Sequence, residues 1–447
     1  MPHTTFIHGD YAYKVRTTTP HYESMTSVYP ALITLCLLML IGSVGCESDA
    51  QSPQEMSAIE AAGVDLGEDT DEVTDPMIEL SDLGADPKMF GPSAVGYLTE
   101  EITYAPEWID APRTLRVALW YPASSGSDIA EARYPLFSPD VAQQAPPPQL
   151  LSPAPLLVYS HGAKVWPEMG SFMAEFFASH GWVVASVAHT GDSLDNVAGP
   201  RPDEIYALRP LDLSALLDHL SALPTDHLLS GLIETKRAVV SGHSFGGYTS
   251  FVSAGAQFDM EYLFAERCAQ VSETLCEALA GPQGEAMSNG LRDPRFVAAI
   301  PQSAGNYKML RRGTRQVEIP TLMITATRDQ ANTEENSNQP YWEALIDPDA
   351  PQRSAHRRLS FLEAGHATFT VACIFLPTVE PEDGCGPDFT PARDAHALML
   401  AYSLVFARAH LLNDPLALQT LNATDPSDNG LLPPLPEWAQ WLIPTPQ

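Results

Sequence analysis

Short apolar runs alternate with segments of helical periodicity along most of the chain, beginning near residue 114. The predicted strands are 114–121, 156–159, 182–187, 237–241, 296–300, 321–325 and 358–362. The predicted helices are 168–180, 211–223, one that begins near Phe245, and 394–411. Strands and helices that alternate at this rhythm predict an α/β fold, with a mainly parallel sheet covered by helices on both faces.

Residues 257–292 fall between two of these strand–helix units and hold two of the cysteines. We interpret this stretch as a small inserted cap segment or loop. The folded domain is predicted to span 95–447.

The N-terminal region has the pattern of an export signal. Lys14 and Arg16 precede an uncharged, mostly apolar run at 31–42. This run is too short for a bilayer, which needs about 20 apolar residues, but it suits the core of a signal peptide. Residues 43–46 (SVGC) resemble a bacterial lipobox, in which Cys46 would be lipidated and become the mature N-terminus. Ordinary signal-peptidase cleavage is the alternative, and both interpretations place 1–45 outside the fold.

The segment 46–94 is acidic and is predicted to be a disordered tether between an anchor and the folded domain. Residues 47–86 contain many carboxylates and no lysine or arginine. The whole chain of 447 residues has a formal charge of −32. A charge of this sign argues against nucleic acid or an anionic membrane surface as a partner. Membrane attachment would then depend on the lipid at Cys46. For the oligomeric state, a monomer is favoured.

Four cysteines remain in the predicted domain, at Cys268, Cys276, Cys373 and Cys385. An even number of cysteines in an exported protein indicates disulfides. Because the cysteines form two pairs close in sequence, we expect Cys268–Cys276 and Cys373–Cys385, one of three possible connectivities. None belongs to a CxxC pair, so a zinc site is not expected.

The candidate nucleophile is Ser244, within Gly242-His243-Ser244-Phe245-Gly246. This GxSxG pattern directly follows a predicted strand and precedes a predicted helix, which is the context of a nucleophile elbow. The flanking glycines lack a Cβ and permit the sharp turn that exposes a serine hydroxyl above a helix N-terminus. A glycine-rich turn with an inert serine is the alternative.

A serine hydroxyl needs a base to accept its proton, and in this arrangement the acid and then the histidine follow the serine in the chain. His366 comes just after the last predicted strand and is the candidate base. The competing histidines are adjacent to other motifs, precede the serine, or lie in a pre-strand segment or a helix: His161, His189, His243, His356 and His396.

Asp329 is the candidate acid because it lies in the turn directly after the strand at 321–325. Its role would be to accept the Nδ1 proton of the histidine, which fixes the tautomer and stabilises the imidazolium. Glu334, Glu335 and Asp347 are nearby competitors.

An oxyanion hole requires two backbone N–H groups. We expect one from Phe245, after the nucleophile, and one from Ala163, in the His161-Gly162-Ala163 loop that follows the strand at 156–159. Trp166 and Phe369, with Phe245, are candidates for the acyl pocket, although aromatic residues there could equally belong to the core.

Residues 153 to about 412 resemble the α/β-hydrolases related to platelet-activating-factor acetylhydrolase and the dienelactone-hydrolase-like group. The matching stretches are PLLVYSHGAK, FFASHGWVVASVAHTGDS, AVVSGHSFGGYTS, IPTLMITATRD and LEAGHATF. The resemblance implies a Ser244–Asp329–His366 triad, esterase or lipase activity, and no metal or organic cofactor. Two features depart from it. Dienelactone hydrolases use a cysteine nucleophile, and 367–370 lacks the acidic residue that members acting on acetylated phospholipids often carry after the histidine.

The sequence thus predicts an exported serine carboxylic-ester hydrolase that acts on a small-molecule or lipid ester. A polyester or phospholipid acyl hydrolase and a serine peptidase are alternatives on the same triad. A surface-anchored binding protein with an inactive triad is the non-enzymatic alternative.

Overall fold

A computed structural model describes residues 82–109, 112–126, 129–196, 204–268 and 273–444 of the chain. All of them belong to one compact unit, Asp71–Gln447. The predicted signal peptide, Cys46 and most of the predicted tether lie outside the described residues.

Ten strands of the described chain form one sheet in the order β10-β9-β8-β7-β6-β4-β5-β2-β1-β3. The strands are β1 Ala94–Tyr104, β2 Arg113–Ala123, β3 Ala142–Gln144, β4 Ala154–Ser160, β5 Val183–Ala188, β6 Ile233–His243, β7 Phe296–Gln302, β8 Leu322–Ala326, β9 Arg357–Phe361 and β10 Ala439–Leu442. The central run from β5 through β4, β6, β7, β8 and β9 is parallel. The predicted α/β fold with a mainly parallel sheet is confirmed.

Helices cover both faces of this sheet. The described helices of seven or more residues are α1 Ser171–Ser179, α2 Ile205–Ser221, α3 Phe245–Ser253, α4 Glu273–Ala280, α5 Pro282–Asn289, α6 Gln339–Leu345, α7 Ala392–Ala407 and α8 Pro415–Asn422. Alternate residues of β4 enter two separate hydrophobic clusters: Leu157 and Tyr159 pack in one, and Leu156 and Val158 in the other. Burial on both faces explains why the central strands have continuous apolar sequences.

The helix α7 continues as a π-helical segment, Arg408–Leu412. The stretch Ala392–Leu412 is long and apolar enough to cross a membrane, but 83% of its apolar window is buried inside the fold. It is therefore a core helix of this domain.

The chain packs on the domain earlier than the predicted boundary at residue 95. Leu83 is buried, and the backbone N–H of Ser93 donates to the Ser179 carbonyl at 3.1 Å. Gly91 N–H donates to Ser179 Oγ at 2.8 Å. An apolar side chain and backbone hydrogen bonds thus place 82–93, which the sequence assigns to the tether, against the end of α1.

The predicted insertion lies between α3 and β7 and is helical. It contains a π-helical segment, Leu263–Cys268, followed by α4 and α5. Both expected disulfides are present: Cys268–Cys276 is in this insertion, and Cys373–Cys385 closes a loop after β9. Two disulfides are typical of a protein from an oxidising compartment.

Candidate active site

Ser244 occupies the sharp turn between β6 and α3, with φ 57° and ψ −115°. A non-glycine residue with positive φ is strained, and such strain clusters at functional sites. Its backbone is held from both sides, since Ser244 N–H donates to Gln302 O at 2.9 Å and Gly305 N–H donates to Ser244 O at 3.1 Å. Ser244 is only partly buried, at the carboxyl edge of the sheet.

The two glycines of the turn are required by close packing. A Cβ on Gly242 would lie 2.6 Å from the carbonyl oxygen of Ser160 in the neighbouring strand. A Cβ on Gly246 would lie 1.8 Å from the same oxygen. Each distance is far below a van der Waals contact, so α3 can approach β4 this closely only with glycine at both positions.

His366 and Asp329 meet at the same edge, in the loops after β9 and β8. His366 Nδ1 lies 2.9 Å from Asp329 Oδ2. The carboxylate can only accept, so Nδ1 carries the proton and Nε2 is left as the basic nitrogen. The other oxygen of Asp329 accepts from Asn332 N–H at 2.6 Å, which fixes the carboxylate.

This pair shifts both pKa values in opposite directions. Burial by itself would raise the pKa of Asp329, but the His366 charge and the hydrogen bonds from His366 and Asn332 bring it below its usual value. Burial would lower the pKa of His366. The negative charge and hydrogen bond of Asp329, followed by the charges of Asp383 and Glu380, raise it above its usual value instead.

The His366–Asp329 pair is adjacent to the candidate nucleophile. The ring of His243, the residue before Ser244, lies 4.5 Å from the ring of His366 between centroids. His243 Nε2 donates to the carbonyl of His366 at 3.0 Å, and burial lowers the pKa of His243 to about 3, so this histidine stays neutral. His366 thus lies next to the residue that precedes Ser244, with its Nδ1 bonded to Asp329.

The loop that holds Ala163 lies against the serine. A Cβ on Gly162 would be 3.6 Å from Ser244 Cβ, so this loop borders the nucleophile directly. His189 N–H donates to His161 Nε2 at 3.0 Å, and His161 Nδ1 therefore donates to Gly162 O at 2.6 Å. The loop is thus held by a histidine of fixed tautomer.

A second serine–histidine–aspartate set lies beneath this loop. Ser160 Oγ is 2.9 Å from His189 Nε2, and His189 Nδ1 is 2.9 Å from Asp212 Oδ2. All three side chains have no exposed surface. Ser160 belongs to strand β4 and already accepts a hydrogen bond from Arg209 at 3.0 Å. Substrate cannot reach it, so distance alone does not identify a nucleophile in this fold.

Arg209 is a buried cation that contacts this set through Ser160. It donates to Asp192 Oδ2 at 2.8 Å and to Thr249 Oγ1 of α3 at 3.0 Å. Arg113 donates to both carboxylate oxygens of Asp212, from Nε to Oδ1 at 3.0 Å and from Nη2 to Oδ2 at 2.9 Å. Sequence reasoning missed Arg209 and Asp212 of α2, because charged residues of a helix typically lie on its solvated face.

The two aromatic candidates for the acyl pocket differ in their surroundings. Trp166 keeps 8% of its surface exposed at the start of the Pro167–Gly170 3₁₀ segment. Phe369 has no exposed surface, and its ring packs edge-on against Phe361 at 5.3 Å. Packing in the core accounts for Phe369 without a role in substrate binding.

No family pattern and no curated protein matches the chain. The solved structures that are similar to it include a ferulic acid esterase from Streptomyces cinnamoneus, with a TM-score of 0.51 and 21% sequence identity. The match covers 72% of this chain and 91% of the esterase.

The chain has the α/β-hydrolase fold. Ser244, Asp329 and His366 follow β6, β8 and β9 at the carboxyl edge of its parallel strands. A likeness at this level of identity bears on the fold alone, so the narrower resemblance to the acetylhydrolase group stays a prediction.

Proposed function

We propose that the protein is a serine carboxylic-ester hydrolase in which Ser244 is the nucleophile, His366 the general base and Asp329 the acid that orients it. The observation that supports this proposal is the strained serine at φ 57°, which follows His243 in the chain. The His243 ring packs against His366, and His366 Nδ1 donates to the buried carboxylate of Asp329. The esterase among similar structures is consistent with it.

The reaction has two halves. Ser244 Oγ attacks the ester carbonyl carbon while His366 Nε2 accepts its proton, and Asp329 stabilises the imidazolium. The tetrahedral oxyanion accepts hydrogen bonds from the backbone N–H groups of Phe245 and Ala163. The intermediate collapses, and His366 returns the proton to the departing alcohol. A water molecule activated by His366 then hydrolyses the acyl-enzyme, releasing the carboxylic acid and the free serine.

The chain offers a matched pair of variants to test the nucleophile. Ser244→Ala is expected to abolish both hydrolysis of a short p-nitrophenyl ester and labelling by a fluorophosphonate, with folding retained. Ser160→Ala removes the hydroxyl of the second serine–histidine–aspartate set and should keep the label on Ser244, as mapped by mass spectrometry. A folded Ser244→Ala protein that still turns over the ester would disprove the assignment.

The same labelling experiment separates an enzyme from a binding protein with an inactive triad, because an inactive site does not react. The substrate class can be determined by measuring turnover on a panel of substrates. The panel should contain p-nitrophenyl esters of increasing chain length, a ferulate ester, an acetylated phospholipid, a polyester and a peptide amide. Preference for short or ferulate esters would favour an esterase, and cleavage of the amide would favour the peptidase alternative.

A further inference from the structure

A disulfide-closed loop borders the candidate acid–base pair. Cys373 and Cys385 close this loop, which comes directly after the 3₁₀ segment His366–Phe369. Within it, the backbone N–H groups of Asp383 and Cys385 both donate to the carbonyl of Glu380, at 3.2 and 2.9 Å. The C-terminal end of the loop is therefore a tight turn with a fixed backbone, and Asp383 belongs to this turn.

One oxygen of Asp383 joins the two loops that supply the pair. Asp383 Oδ1 accepts from the backbone N–H of His366 at 2.8 Å and from that of Gln330 at 3.0 Å. His366 is the candidate base, and Gln330 directly follows the candidate acid, Asp329. A carboxylate that accepts from both backbones holds the two loops at a fixed separation.

The residues on either side of His366 pack closely against Asp383. Ala367 N–H donates to the carbonyl of Asp383 at 2.9 Å. A Cβ on Gly365 would lie 2.4 Å from the carbonyl carbon of Asp383. The chain on both sides of His366 is thus packed directly on the Asp383 turn.

The same residue adds negative charge beside the imidazole. Among the residues that the structure describes, the titratable groups facing His366 are Asp329, Asp383, Glu380 and His243. The three carboxyl groups favour the protonated imidazole, while the neighbouring His243 is neutral and does not oppose them. Burial raises the pKa of Asp383 itself, and the hydrogen bonds from His366 and Gln330 together with the imidazolium charge act in the opposite direction.

We propose that Asp383 is a positioning residue for the esterase site: its carboxylate fixes the His366 and Asp329 loops relative to each other and places a negative charge beside His366. This inference rests on the proposed function. It goes beyond the triad because it assigns part of the active-site electrostatics to the loop closed by Cys373–Cys385.

Two substitutions separate the effect of the Asp383 hydrogen bonds from the effect of the Asp383 charge. Asp383→Asn keeps a carbonyl oxygen that can accept both N–H groups but removes the charge, and Asp383→Ala removes both. The matched control is Glu382→Gln, because Glu382 lies in the same loop with its side chain exposed to solvent. The full chain is used for all variants, and thermal unfolding checks that each one is folded.

The readout is the rate of Ser244 modification by a fluorophosphonate and kcat/KM for a short p-nitrophenyl ester, both measured against pH. Asp383→Asn is expected to move the acid limb of both pH–rate profiles to lower pH by about half a unit. The rates on the plateau of each profile should stay near normal. Asp383→Ala is expected to move the limb similarly and to lower the plateau about tenfold through misplacement of His366. Glu382→Gln should change neither.

An acid limb that stays in place in folded Asp383→Asn would overturn the inference, even if the protein labels normally at Ser244. If the native protein is not labelled at Ser244 at all, the proposed function fails instead. Should Asp383→Ala fail to fold, the asparagine variant still decides the question, because it keeps the hydrogen-bond acceptor.

Discussion

The guanidinium of Arg209 lies 4.6 Å from the centroid of the Phe245 ring, in the geometry of a cation–π contact. The same guanidinium donates to the carbonyl of His161. Phe245 and the loop after His161 are the two segments from which we expect the oxyanion donors. A single buried side chain of α2 thus contacts both halves of the proposed oxyanion hole.

Replacing Arg209 with lysine should therefore lower catalysis more than substrate binding. Lysine keeps a positive charge near Asp192 but cannot also reach His161, Thr249 and the Phe245 ring, because it lacks the planar fork. We expect kcat for a short p-nitrophenyl ester to fall about tenfold with KM little changed. Steady-state kinetics on the full chain measure both constants.

Arg113→Lys is the matched control. Arg113 is also buried, and among the described residues its hydrogen bonds go to Asp212 and the carbonyl of Thr190, not to Phe245 or the loop after His161. It should lose a similar part of its stability with kcat largely retained. Equal losses of kcat in the two variants would show that Arg209 acts only through general stability.

The pH dependence of hydrolysis should reflect a single histidine. His366 must be neutral to accept the serine proton, and its pKa is raised by Asp329, Asp383 and Glu380. The acid limb of kcat/KM is therefore expected above about 6.5, the usual value for histidine. His243, with a pKa of about 3, does not titrate in this range. A limb clearly below 6.5 would contradict the assignment of His366 as the base in this environment.

Asp329→Asn tests the partner of that histidine. The variant loses the charge that raises the His366 pKa, so the acid limb should move to lower pH. It also changes the preferred tautomer, and kcat at the plateau is expected to fall by a factor on the order of 10⁴. Asp347→Asn, which removes another carboxylate that follows β8 in sequence, is the control and should leave both the limb and the plateau in place.

Much of this site follows from local pattern. The GxSxG turn, the aspartate after β8 and the histidine after β9 could be predicted, because each directly follows a buried strand with a clear apolar sequence. Arg209 and Asp383 could not. The roles proposed for them depend on what packs against them in three dimensions. In the sequence, Arg209 precedes the predicted helix 211–223 and Asp383 is one of several acidic residues in a loop.

The strands at the edges of the sheet could not be predicted from the sequence either. The strands β3 and β10 have three and four residues, too few for an alternating pattern to be distinguished from a loop. The long strand β1 carries two adjacent glutamates, Glu100 and Glu101, near its exposed end and therefore lacks the continuous apolar run of the central strands. Tertiary pairing with β2 over eleven residues determines it instead.

Gly246→Ala should destabilise the fold as well as the elbow. The added Cβ would lie 1.8 Å from the Ser160 carbonyl oxygen, so α3 must move away from β4. We expect a loss of about 3 kcal/mol in the free energy of unfolding, at the upper end for an overpacked core position. Gly84→Ala is the control, because nothing lies within 4 Å of its Cβ position, and it should change stability by less than about 0.5 kcal/mol. Denaturant unfolding of both variants gives the comparison.

The two disulfides should differ in what they contribute to activity. Each closes a short loop, with sequence separations of 12 and 8, so removal of either should cost stability on the order of 2–4 kcal/mol. In the part of the chain that the structure describes, it is the Cys373–Cys385 loop that accepts hydrogen bonds from the backbone of His366 and Gln330. The double variant Cys373→Ser/Cys385→Ser should therefore lower kcat about tenfold at a temperature where it is fully folded, because the histidine loses its support. Cys268→Ser/Cys276→Ser, in the insertion, should keep kcat for a short ester at the same temperature. Comparable kcat in the two double variants would mean that the loop after β9 serves stability alone.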